Sequence, residues 1–121
     1  MGWRAKPAGA YGARVHIVAD AGAPSPATQA SYREHLRVPD LSLGTYSLPA
    51  GGTDPQRPHS EDELYLCIAG HARLWTPTAT AEIRPGVVAF VPAGEEHRFI
   101  DIAEDLTVLV VFGPAEGTRA G

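Results

Sequence analysis

Apolar and polar residues alternate with period two along most of this chain, in short stretches interrupted by thirteen glycines and eleven prolines. Neighbouring strand residues point to opposite faces, so the pattern predicts half-buried β-strands and leaves no stretch of helical period long enough for an ordinary helix. Nine strands are predicted, over residues 14–19, 30–38, 41–48, 59–69, 71–75, 81–84, 87–91, 97–102 and 106–112. The connections "PAGG" (49–52), "RPGV" (84–87) and "PAGEE" (92–96) carry turn chemistry, because proline presets one dihedral and glycine permits a positive one. Strands this short and this evenly spaced suit an all-β sandwich, jelly roll or small barrel. One domain is expected over 13–112, with a surface loop at 19–29 and flexible ends at 1–12 and 113–121.

The alternation from residue 57 onward has two unlike faces. Arg57, His59, Glu61, Glu63, Tyr65 and Cys67 share one parity, while Leu64, Leu66 and Ile68 share the other. A strand apolar on its second face needs cover from another layer or another chain. Together with the apolar run "LTVLVVF" (106–112), this predicts a homodimer. The odd face is polar only near its start, and a rim of charges where a strand meets solvent explains that much without invoking function.

Composition narrows the classes. A length of 121 residues with 44% hydrophobic positions suits one domain with one core. Ten scattered Lys and Arg against a net charge of -4 give no basic stripe for nucleic acid. No apolar run approaches the roughly 20 residues that cross a bilayer, so no membrane partner is expected. The lone Cys67 cannot form an intrachain disulfide, and a cytoplasmic location is expected.

A second cluster changes the reading of the acidic rim. Residues 86–101 run from a glycine turn through an apolar strand and a Pro-Ala-Gly turn to His97. The first stretch reads Gly51, five residues, Arg57, Pro58, His59, three residues, Glu63, six residues, Gly70; the second reads Gly86, five residues, Pro92, Ala93, Gly94, two residues, His97, three residues, Asp101. These spacings resemble the two motifs of the cupin superfamily, G-X5-H-X-H-X3-E-X6-G and G-X5-P-X-G-X2-H-X3-N, with Arg57 in place of a histidine and Asp101 in place of the asparagine. The resemblance implies a double-stranded β-helix, or jelly-roll barrel, that holds a divalent transition metal (Fe, Mn, Ni, Co or Zn) on His59, Glu63 and His97. Two imidazoles with one carboxylate form a donor set suited to such ions.

Arg57 is the departure that matters, since a guanidinium offers no free lone pair. Either the site has three protein donors, or another residue substitutes. On a flat strand the backbones of His59 and Glu61 stand about 6.6 Å apart and those of His59 and Glu63 about 13 Å apart. Glu61 is therefore carried as a fourth ligand or a hydrogen-bond partner of the ligands, and Glu63 requires the strand to curve or bulge. Arg57 is read either as an ion-pair partner of the acidic rim or as a binder of a substrate carboxylate. Tyr65 and Phe99 are expected to line the substrate pocket, with Tyr46 and Phe90, unless all four are simply core. Asp101 is read as a hydrogen-bond acceptor for a ligand or as an exposed strand residue, and His16, His35 and His71 as structural. Two functions follow from the resemblance: a metalloenzyme acting on a small organic molecule, dioxygenase-like or isomerase/cyclase-like with Glu63 moving a proton, or a non-catalytic binding or sensing domain.

Overall fold

The computed structural model describes residues 15–24 and 28–120, and over these it contains six antiparallel strands and no helix. They are β1 (Ser31–Val38), β2 (Leu41–Leu48), β3 (Asp62–Trp75), β4 (Thr80–Ile83), β5 (Val88–Val91) and β6 (Arg98–Gly113). The sheet runs β1-β2-β6-β3-β4, with β5 also paired to β3. The all-β expectation holds, but nine strands become six. The part of 14–19 that is described, 15–19, forms no strand, and the expected flexible segment 1–12 lies outside the described residues.

Two of the expected breaks are continuous strands. Gly70, which separates two of the expected strands, sits inside β3 with φ 95°, and a Cβ there would lie 2.2 Å from the Asp105 carbonyl oxygen on β6. Glycine is what lets the two backbones approach so closely at a conformation other residues resist. The β3–β6 register shifts three times between Cys67 and Arg73. These bulges bend both long strands, so each serves two neighbourhoods. The first half of β3 pairs β5 (Leu64 with Phe90, Leu66 with Val88), and its second half pairs β4 (Ala72 with Ile83).

From Asp62 onward the parity division holds. Tyr65, Cys67, Leu74, Phe99, Leu106, Val108, Val110 and Phe112 form the core, while Leu64, Leu66 and Ile68 face outward. Their neighbours on that outer face include Val88 and Phe90, so Phe90, expected to line the interior, is 61% exposed. Residues 114–120, expected to fray, fold back over the sheet end on three backbone anchors: Glu116 N donates to Ser42 Oγ, Gly117 N to Glu61 Oε1 and Arg119 N to Glu61 Oε2.

Candidate metal centre

The ligand-type residues lie where strands begin. β3 starts at Asp62, and Ser60 and Glu61 form a bend, so His59 belongs to the irregular approach rather than to the strand. The separation expected from a flat strand therefore does not apply, and His59 folds back toward Glu63. The same bend locks the second motif in place. The His59 carbonyl accepts from Gly94 N at 2.7 Å, and Asp62 Oδ1 accepts from Ala93 N at 2.9 Å. The Pro-Ala-Gly turn is thereby tied to the start of β3, which sets His97 opposite Glu63.

One donor atom from each of His59, Glu63 and His97 lies within 4.8 Å of the others. Glu63 and His97 are each 2% exposed, and Glu63 Oε1 stands 3.0 Å from His97 Nε2. The His97 Nδ1 lies 2.7 Å from the Glu95 carbonyl, which can only accept, so Nδ1 carries the proton and Nε2 of the neutral ring presents its lone pair to the site. Burial alone would depress the His97 pKa, but the Glu63 carboxylate and the Glu95 carbonyl hold it above the ordinary value. With the His97 ring neutral, Glu63 Oε1 is buried and receives no hydrogen bond. A buried carboxylate oxygen aimed at two imidazoles, with no donor of its own, is an arrangement that a divalent cation satisfies. The residues fit a metal of the type the resemblance implies.

Around this triad lies a cavity of about 260 Å³ lined in part by Tyr32, Tyr46, Gln56, His59, Glu63 and Glu116. Tyr65, expected to line the pocket, is 1% exposed and lies behind the lining, where its hydroxyl lies 3.0 Å from His97 Nε2 and donates to Gln56 Oε1 at 2.9 Å. Burial, reinforced by Glu63, pushes the Tyr65 pKa well above the phenol range, so the hydroxyl stays protonated. Phe99, also expected to line the pocket, packs edge-on against Tyr65 at 4.8 Å between ring centres and is 1% exposed, so it belongs to the core.

Other expectations are corrected. Glu61 is 1% exposed but not among the converging donors; it accepts from Ser60 Oγ, Gly117 N and Arg119 N, so it anchors the C-terminal segment. Arg57 is exposed, forms no ion pair among the described residues and is absent from the cavity lining, so neither role expected of it has a contact here. Asp101 is exposed, with φ 50°, and lies 3.8 Å from Arg73. His35 and His71 are structural, bonded to Thr45 and paired with Glu82.

The structure adds three residues. Asp54 and Gln56 lie in the gap between Gly51 and His59, where their side-chain oxygens were a signal left unread. Glu116 reaches the cavity mouth from the C-terminal segment, with Oε2 3.5 Å from His59 Nδ1. Burial raises its pKa, His59 opposes the rise, and Glu34 and Glu63 add to it.

Fold and site together define a double-stranded β-helix with a two-histidine, one-carboxylate cluster at one end. The Cupin domain family profile matches residues 44–112, and the chain belongs to the cupin superfamily. It is 44% identical over 90 residues to an uncharacterised protein of Streptomyces coelicolor, covering 74% of this chain and 86% of that protein. Among solved structures, the DMSP lyase DddQ from Ruegeria pomeroyi superposes with a TM-score of 0.66 at 21% identity over 70% of this chain. The match takes in 47% of the lyase, so the chain spans about half its length. The ectoine synthase from P. lautus gives a TM-score of 0.64 at 20% identity, covering 81% of this chain and 73% of the synthase. At such identities these two likenesses concern the fold alone.

Proposed function

We propose that this protein is a divalent-cation-dependent enzyme acting on a small, uncharged or cationic oxygen-bearing molecule. The observation that carries this reading is the buried, undonated Glu63 oxygen facing His59 and His97 at the edge of a cavity. A divalent cation held there supplies Lewis-acid polarisation of a substrate oxygen. The chain's own groups supply the rest. Tyr65, held protonated, donates to Gln56 Oε1 and so orients that amide at the site, while Glu63 and Glu116 are the carboxylates able to take or return a proton. Tyr32 and Tyr46 bound the cavity, whose size admits only a small molecule.

Charge selects the substrate class. The lining holds Glu63 and Glu116 but no Lys or Arg, so a divalent cation brings the pocket near neutrality and leaves no basic side chain for a free carboxylate. A lyase, isomerase or cyclase reaction fits these groups, and an oxygenase becomes the reading if the ion is iron. Fold relatives that include a DMSP lyase and an ectoine synthase support small-molecule chemistry without choosing among these. The homodimer belongs to the same proposal, since the outer face of β3 and β5 is apolar, as does the reducing cytoplasm that suits a lone buried Cys67.

The deciding experiment is elemental analysis of protein purified from metal-replete cells, alongside His59→Ala, Glu63→Gln and His97→Ala. One equivalent of transition metal in the wild type, lost in all three variants, is expected. Metal absent from the wild type, or unchanged in the variants, would refute the centre. Metal bound without turnover of any small alcohol, ketone or sulfonium substrate would favour a binding domain.

A further inference from the structure

Arg57 removes one imidazole from the expected donor set, and the residue just before it occupies the space. The geometry points to Gln56 Oε1 as a fourth, oxygen donor of this centre, an inference that rests on the divalent-cation reading above.

Orientation is the first argument. The Gln56 amide nitrogen donates to Asp54 Oδ2, and an ionised carboxylate only accepts, so the nitrogen end is fixed outward and the oxygen end inward. Asp54 is itself held by three further donors, the Tyr46 hydroxyl, Gln56 N and Phe99 N, and is 9% exposed. A flipped amide would set its oxygen against that carboxylate.

Distance is the second. Donors about 2.1 Å from one ion stand about 3.0–3.4 Å apart at octahedral to tetrahedral angles. Glu63 Oε1 and His97 Nε2 are 3.0 Å apart, and Gln56 Oε1 and His59 Nε2 are 3.3 Å apart. Both pairs therefore have the spacing of two donors on one cation. Lone-pair supply is the third argument. An amide oxygen has two; the Tyr65 hydroxyl, at 2.9 Å, engages one, and the other faces His59 Nε2 at 3.3 Å, a contact that a cation between the two atoms replaces.

The substitution has a chemical consequence. A neutral oxygen in place of an imidazole makes the donor set harder, which moves its preference toward ions such as Mn²⁺ and Fe²⁺ relative to Cu²⁺.

Mn²⁺ alone is the probe, with free ion counted by electron paramagnetic resonance against wild type, His97→Ala and Gln56→Met, each shown to fold by its melting transition in chelator. Gln56→Met keeps the side chain's length but offers Mn²⁺ only a poor thioether donor, and it should raise the dissociation constant at least about tenfold. Loss of binding in His97→Ala with Gln56→Met within threefold of wild type would overturn the Gln56 assignment alone. No binding by the wild type, or equal binding by His97→Ala, would bring down the cation reading and this inference with it. A second measurement needs no variant. The chain contains Gln29 and Gln56 and no asparagine, so its side-chain NH₂ spectrum holds two pairs. One equivalent of Zn²⁺ should shift one pair and leave the other; both pairs unmoved at saturation would equally overturn the assignment.

Discussion

The acids near the cavity share a charge and differ in their donors, and that difference assigns their work. Glu61 has three hydrogen-bond donors. Burial would raise its pKa, yet the bonds from Ser60, Arg119 N and Gly117 N outweigh this and hold it below the ordinary carboxylate value. A depressed carboxylate contributes stability that is present above its unfolded pKa and lost as pH falls through the folded one. The Gly117 and Arg119 amides should therefore lose hydrogen-exchange protection below about pH 4, and Glu61→Gln should loosen them at neutral pH. Protection unchanged in the variant would disprove the anchoring role. His97 runs the other way. Its raised pKa gives the metal-free protein stability that is complete below about pH 6.5 and fades as pH climbs through the folded value, because the proton is then lost from beside Glu63. His35, whose pKa burial and Arg33 depress, acts below that window. A cation competes with the same proton, so its affinity should rise over the range in which the metal-free melting temperature falls. Melting scans in chelator and with Mn²⁺ from pH 6.5 to 9, as a chosen range, test both slopes, and parallel slopes would contradict the competition. At this scale His59, Glu63 and His97 were legible because motif spacing fixes them independently of local shape. Glu61 and Arg57 were misread because parity was extended back to residue 57, whereas the chain bends at Ser60 and Glu61 and strand alternation begins only at Asp62.

At the scale of elements, the two long strands β3 and β6 connect the fold to the site. Their alternation was readable, and so was the side of each that is buried. Their continuity was not, because a glycine and the acidic pair Glu104–Asp105 after Ala103 look in sequence like turns, while in space they are bulges that keep pairing on either side. Gly70 is the position where the distinction can be measured. Any side chain there meets the β6 backbone at Asp105 and Leu106 while holding a positive φ. Gly70→Ala should cost at least about 2 kcal/mol, combining left-handed strain with backbone displacement, whereas Gly86→Ala, with open space around its Cβ position, should bear the conformational cost alone. Equal denaturation midpoints for the two variants would argue against a close approach at Gly70. The short strands β4 and β5 came within a residue of their expected bounds because proline and glycine delimit them chemically.

For the whole molecule, the outer face bears on assembly. Leu64, Leu66, Ile68, Val88 and Phe90 are 42%, 37%, 40%, 60% and 61% exposed. The backbone at Gly22 approaches one edge of the patch, at Ile68 and Leu109. Such a surface can pair with a second copy of itself. Light scattering at micromolar concentration should return a dimer, and Phe90→Asp a folded monomer, since the side chain is mostly outside the core; a monomeric wild type would reject the assembly. The C-terminal segment has a practical consequence. Because residues 116–119 run from the cavity mouth to Glu61, a flexible polyhistidine tag attached beyond them, about 20 Å long when extended, has the reach to compete for the same cation. Metal stoichiometry on this protein is best read from material whose purification handle sits elsewhere or has been cleaved away.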